Sequence, residues 1–166
     1  ASYLACMNSY VLDFVSRQKL GGASFSFFIT RQLPVPPPDS FCANAAWCPS
    51  FTVDQWLRPR ILELVYTAWD LEPFAQDNGW PGPPFRWDEE RRFLLRCELD
   101  AAFFHLYMPA EDNGDWRRAH SESAEDLARL NASFSTPRDA VVYIMDTFPI
   151  VRRRDEEEFD GDYRTK

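Results

Sequence analysis

Residues 88–107 read DEERRFLLRCELDAAFFHLY, and this run decides the architecture. Asp88 stands where a helix N-cap belongs, and Glu89 and Glu90 follow at the positive end of the helix dipole. Leu94, Cys97, Ala101, Phe104 and Met108 then recur at helical spacing, so the run predicts the longest helix of the chain with those residues on one stripe.

Working upstream, Thr52-Val53-Asp54-Gln55 is a capping box, a hydroxyl at N-cap with Gln three residues later. Pro59 predicts a short turn and then a helix restarting with proline at its first position. Ile61, Leu62, Leu64, Val65, Ala68 and Trp69 are its expected buried face. A brief turn over Pro73–Gln76 ends near Gly79, and Pro81-Gly82-Pro83-Pro84 makes a rigid corner before Asp88. Nearer the start, apolar residues at 3, 4, 7, 10, 11, 14 and 15 predict one amphipathic helix, with Gly21-Gly22 as a stop signal beyond it. Ser26 caps a single turn over Phe27–Gln32, Leu33-Pro34-Val35 runs extended, and Pro36-Pro37-Pro38 continues as a stiff connector. Residues 39–51 show no period and read as loop.

Downstream, residues 109–122 are polar and read as an insertion, followed by a short helix over Ala124–Leu130. Thr136-Pro137-Arg138-Asp139 opens the last helix, whose core face is Val141, Ile144, Met145 and Phe148, and Pro149 ends it. The expected fold is mainly α (α+β), five to six helices with a short extended or strand segment after the first helix. The expected divisions are residues 1–38, a linker 39–51, a helical region 52–151 with an insertion at 109–133, and a charged tail 152–166. Two small lobes split near the proline-rich connector are the alternative.

Composition sets the outer limits. The 166 residues are 45% hydrophobic and 27% charged, a core-forming balance, with aromatics at 16%. A net charge of −8 argues against a surface that grips nucleic acid on all sides, while leaving room for one local basic strip. No apolar run approaches the roughly 20 residues of a membrane span, and no signal peptide opens the chain. It begins inside a helical pattern and stops in a charged stretch, like a piece of something longer. Cys6 and Cys97 lie in helical apolar patterns, and Cys42 and Cys48 are six apart without zinc spacing. All four read as structural thiols of a reducing, cytoplasmic compartment.

Residues that resemble catalytic motifs are few. Gly82-Pro83-Pro84-Phe85 is similar to the [NDS]-P-P-[YFW] motif of amino-group DNA methyltransferases, but Gly82 lacks the polar side chain that would accept the target amine. Lys19 and Lys166 each follow an arginine two residues earlier, so no nuclease carboxylate–lysine pair exists. The six glycines form neither a dinucleotide nor a phosphate loop. Glu89, Glu90, Glu98 and Asp100 interleave with Arg86, Arg91, Arg92 and Arg96, which predicts a salt-bridged face. His105 has no evident partner for base catalysis. No catalytic residue and no metal ligand is expected.

Residues 8–38 read NSYVLDFVSRQKLGGASFSFFITRQLPVPPP and hold Asp13, Arg17, Lys19 and Arg31, a local +2 in an acidic chain. Arg17, Lys19, Ser24 and Arg31 flank a Gly-Gly turn whose backbone can approach a phosphate closely. The competing reading is a helix, its C-cap and a return segment with ordinary surface charges.

This segment resembles the end of the target-recognition region of type IIG restriction–modification enzymes and related N6-adenine DNA methyltransferases, phage-defence methylases included. The resemblance is carried by Asn8, Ser9, Asp13, Phe14, Arg17-Gln18-Lys19, Gly21-Gly22, Phe27-Phe28-Ile29 and Gln32-Leu33-Pro34. It resumes over residues 62–71, 83–91, 99–107 and 143–151 and leaves out 39–51 and 109–133. The resemblance implies a parent methyltransferase using S-adenosylmethionine, with cofactor pocket and catalytic motif upstream of this chain. Residues 1–38 would then end the specificity region, with Arg17, Lys19, Ser24 and Arg31 as its DNA-binding candidates and no cofactor of its own. DNA is the implied partner, reached through the full-length parent. A protein-interaction scaffold that docks a partner subunit of a defence complex is the alternative function.

Overall fold

The computed structural model describes residues 1–20, 24–108, 116, 124–149, 153 and 156–157. The protein is mainly helical. Its elements begin with helices α1 (Ser2–Met7), α2 (Tyr10–Lys19), α3 (Phe27–Thr30) and α4 (Pro38–Cys42). Strands β1 (Asn44–Ala45) and β2 (Cys48–Thr52) follow, then α5 (Val53–Val65), a 3-10 turn Trp69–Leu71 and α6 (Glu72–Asp77). The chain continues through α7 (Glu89–Tyr107), α8 (Ala124–Ser133) and α9 (Pro137–Asp146). It divides into two units, Ala1–Phe103 and Phe104–Lys166, with the boundary inside α7.

In the first unit, α5 forms because both halves of its capping box are made. Gln55 N–H donates to Thr52 Oγ1 at 3.2 Å, and Thr52 N–H donates to Gln55 Oε1 at 2.9 Å. The turn expected at Pro59 is absent, and the helix runs unbroken through it. Val53, Leu57 and Ile61, four apart on either side of Pro59, are buried with Leu62 and hold the two halves in line, while Pro59 itself is exposed. Of the expected buried face, Ala68 and Trp69 lie past the helix end and are exposed.

The single N-terminal helix is two helices. Asn8 and Ser9 break it, and the break is satisfied locally: Asn8 Nδ2 donates to Leu4 O and Ser9 Oγ donates to Cys6 O, each at 2.8 Å. The expected apolar stripe is not the buried one, since Tyr3 is 57% exposed and Leu4 39%. Val11 of that stripe is buried, but its other buried neighbours are Ala5, Cys6 and Leu12, with Ser2, Ser9 and Ser16. Each serine hydroxyl finds an acceptor, Asp54 Oδ1, Cys6 O and Leu12 O respectively, so burying it is tolerated. Residues 39–51 are not loop. Pro38 opens α4 at its first position, and β1 and β2 pair antiparallel with Ala45 opposite Cys48. Trp47 meets Trp56 edge-on at 5.5 Å, which ties the hairpin to α5.

After α6, Gly79 adopts φ +80° and ends the helix as expected: Gly79 N–H donates to Gln76 O and Trp80 N–H to Ala75 O, a Schellman ending. Asp88 caps α7 through Arg91 N–H at 2.8 Å. In this unit α7 buries Leu95, Leu99, Ala102 and Phe103; of the expected stripe, Leu94 is 48% exposed and Ala101 is exposed, while Phe104, just past the unit boundary, is buried as expected. Glu63 pairs with Arg91 and Glu98 with Arg60, so the charges expected along α7 also join it to α5.

In the second unit, α9 opens on the Thr136/Asp139 capping box with Pro137 at its first position. Pro137, Ala140, Ile144, Met145 and Phe148 are buried there, and the Phe134 and Tyr143 rings meet at 5.3 Å. Helix α8 covers the expected Ala124–Leu130 and runs three residues further. The Gly21-Gly22 stop, most of the 109–122 insertion and most of the charged tail lie outside the described residues. Among the described residues the helices number nine, more than five to six, because the N-terminal helix is split and several single turns are helical.

Candidate nucleic-acid interface

The four sequence candidates are all exposed. Arg17 and Lys19 sit in the last turn of α2, Ser24 precedes α3, and Arg31 caps the C-terminal end of α3. Arg17 and Lys19 do not share a helix face, because residues two apart point about 200° from one another. Their charges also differ in availability. Arg17 makes a bidentate pair with Asp13, Nε to Oδ1 at 3.0 Å and Nη2 to Oδ2 at 2.9 Å. Arg31 lies over the Phe27 ring, 5.9 Å from its centroid. The Gly-Gly turn between the helices falls outside the described residues.

Residue spacing missed the aromatic surface beside these charges. Phe27 is 77% exposed, Phe28 75% and Phe25 45%. They stand on and beside a single helical turn that Ser26 caps, its Oγ accepting from Ile29 N–H. Leu33 is buried and anchors the segment just beyond. A sequence signal for this surface does exist: residues 14–38 contain no Asp or Glu, yet carry Arg17, Lys19 and Arg31. With 26 acids in 166 residues, a stretch of 25 would hold about four at the chain's average.

The methyltransferase-like corner is occupied by its own neighbours. Trp80 Nε1 donates to Pro83 O at 3.1 Å, and the Trp80 ring stacks on Phe85 at 4.7 Å and 28°. Phe85 N–H donates in turn to Tyr66 O at 2.8 Å. The carbonyl and the ring face that would receive a flipped base are thus engaged within the chain, and Gly82 supplies no acceptor. Leu62, Tyr66 and Ala75 form the core beneath this corner.

Glu89, Glu98 and Asp100 of α7 have partners within the chain. Arg92 covers Trp87 at 3.6 Å and donates to Leu64 O. Asp100 accepts the Tyr10 N–H at 2.8 Å, and burial pushes its carboxyl up to about 7 against the lowering effects of that bond and of Arg96. Among the described residues, no cluster of three or more His, Cys, Asp or Glu side chains is arranged to hold a metal. No disulfide joins the four cysteines. No helix among the described residues is long and apolar enough to cross a membrane. No family model matches the chain, and neither a curated protein nor a solved structure matches it.

Proposed function

We propose that this chain is a non-catalytic C-terminal part of a DNA-modification enzyme of the N6-adenine methyltransferase, restriction–modification kind, contributing DNA target recognition and structural support. In this reading S-adenosylmethionine and methyl transfer belong to a domain outside residues 1–166. The observation that carries the DNA role is the acid-free segment 14–38, with Arg17, Lys19, Ser24 and Arg31 exposed on an otherwise acidic protein. The engaged Pro83 carbonyl and Phe85 ring support the view that catalysis lies elsewhere.

Three cations at most neutralise phosphates here, so this segment adds a salt slope of about −3 or shallower. The test is alanine replacement of Arg17, Lys19 and Arg31, singly, in the intact protein, with DNA binding followed against salt. A phosphate role predicts weaker binding on every sequence and a slope reduced by about one for each phosphate left without its cation. Three folded variants that bind like wild type would leave the segment as ordinary surface. Methyl transfer to DNA by residues 1–166 alone would overturn the non-catalytic reading.

A scaffold role has one observation in its favour. Trp69 is 63% exposed next to Asp70 and Glu72 in sequence, and Trp87, with Arg92 over its ring, is 60% exposed next to Asp88 and Glu89; exposed aromatics flanked by acids suit a protein partner. Loss of a co-purifying subunit on replacing both tryptophans, with DNA binding intact, would favour it.

A further inference from the structure

Phe27 and Phe28, at 77% and 75%, are the most exposed large apolar side chains among the described residues, and they are adjacent in sequence. The helix that carries them is held from within. Ser26 caps it, Thr30 Oγ1 donates back to Ser26 O at 3.1 Å, and Gln32 Nε2 donates to Phe28 O at 3.3 Å. Consecutive helical residues point about 100° apart, so Phe27 and Phe28 cannot stack on one another and each presents its own ring. Arg31, four residues after Phe27, shares its side of the turn and sets a cation beside that ring.

Charge separates this surface from the exposed tryptophans. Trp69 and Trp87 lie next to acids, and Trp87 is already covered by Arg92. The rings at 25, 27 and 28 stand in a 25-residue stretch without a single carboxylate side chain and with three cations. Exposed rings with Arg31 beside one of them, in a stretch without a carboxylate side chain, are what a single strand of nucleic acid requires: rings for base faces, a cation for phosphate.

We propose that Phe27 and Phe28 each present a ring face on which an unpaired base of a DNA strand stacks, with Arg31 on the adjacent phosphate. This rests on the reading that the chain meets DNA, and it assigns to the aromatic rings a contact that phosphate binding alone does not require. Stacking is indifferent to base identity, so this two-ring platform holds a displaced strand in place and does not read its sequence.

The test compares three fluorescent probes on the intact protein: a thymidine oligonucleotide, its abasic counterpart with the same phosphates, and a duplex of equal length. The platform predicts tighter binding of the thymidine strand than of the abasic one. Phe27→Ala and Phe28→Ala should each lower affinity for the base-bearing strand about tenfold and leave abasic binding unchanged. Both side chains are exposed, so the variants should melt with wild type. Equal affinity for the base-bearing and abasic strands would overturn the platform while leaving the phosphate contacts standing. Phe→Leu variants that bind the thymidine strand like wild type would overturn it too, and would identify the surface as an apolar face for a protein. No binding to any of the three probes would sink the DNA reading itself.

Discussion

The backbone N–H of Tyr10 donates to Oδ1 of Asp100 at 2.8 Å, across 90 residues of sequence. The bond satisfies the first orphan donor of α2, the helix that presents Arg17 and Lys19, and fixes where that helix starts against α7. Asp100 is buried enough that its carboxyl titrates at about 7.

A pH dependence follows, with a definite sign. A carboxyl whose folded-state pKa lies above its unfolded value, about 3.9, holds its proton more tightly when folded. Its contribution to stability is therefore complete below about pH 4 and is lost as pH rises towards 7. Asp100→Asn keeps an oxygen for Tyr10 and removes the titration. Between pH 5 and 8 the wild-type melting temperature should fall relative to the variant, which should melt a few degrees higher at pH 8. Parallel curves would exclude the effect.

Ser2 Oγ donates to Asp54 Oδ1 at 2.7 Å, linking α1 to the first turn of α5. Burial raises the Asp54 carboxyl, but the Ser2 hydroxyl and Arg58 outweigh it and hold the group below its ordinary value. Ser2→Ala should cost about 1 kcal/mol near neutral pH, read from urea midpoints. The stabilisation is present above the ordinary carboxylate pKa and lost as pH falls through the depressed one, so the cost should shrink in acid.

Pro59 sits at the seventh position of an unbroken α5 and is exposed. It removes the N–H that would bond Gln55 O, at a cost of up to about 3 kcal/mol in a helix interior. Pro59→Ala should raise stability by about 1–2 kcal/mol, since the looser unfolded chain of the variant takes back part of the gain. A lower urea midpoint for the variant would show that the ring packs in a way its exposure denies.

The helix starts were legible because capping is local chemistry. Ser26, Thr52, Asp88 and Thr136 each cap where a hydroxyl or carboxylate precedes a periodic run. Buried faces were less legible. Apolar spacing does not point to the buried serines at 2, 9 and 16, whose acceptors only the structure shows, and on α7 it picks Phe104 but misses Leu95, Leu99, Ala102 and Phe103. Pro59 and the 44–52 hairpin depend on tertiary support, from the buried face of α5 and from Trp47 on Trp56. At the candidate interface the cations were legible as charges, while the pairing of Arg17 with Asp13 and the outward rings of Phe27 and Phe28 required the structure.

That pairing ranks the cations. Arg17 is already neutralised by Asp13, whereas Lys19 and Arg31 are exposed and have no ion pair with a described residue. Lys19→Ala and Arg31→Ala should each lower the salt slope of DNA binding by about one, and Arg17→Ala by less. A larger loss for Arg17 would mean that the Asp13 pair opens on binding.

The central claim is that the acid-free segment meets DNA, and photocrosslinking tests it most directly. A photoreactive phenylalanine analogue at Ser24 in the intact protein, irradiated with target DNA, should yield a covalent protein–DNA adduct. The same analogue at Gln76, exposed on α6 beside Glu72 and Asp77, should yield none. Crosslinking at Gln76 and not at Ser24, or at neither while the protein binds DNA, would contradict the account.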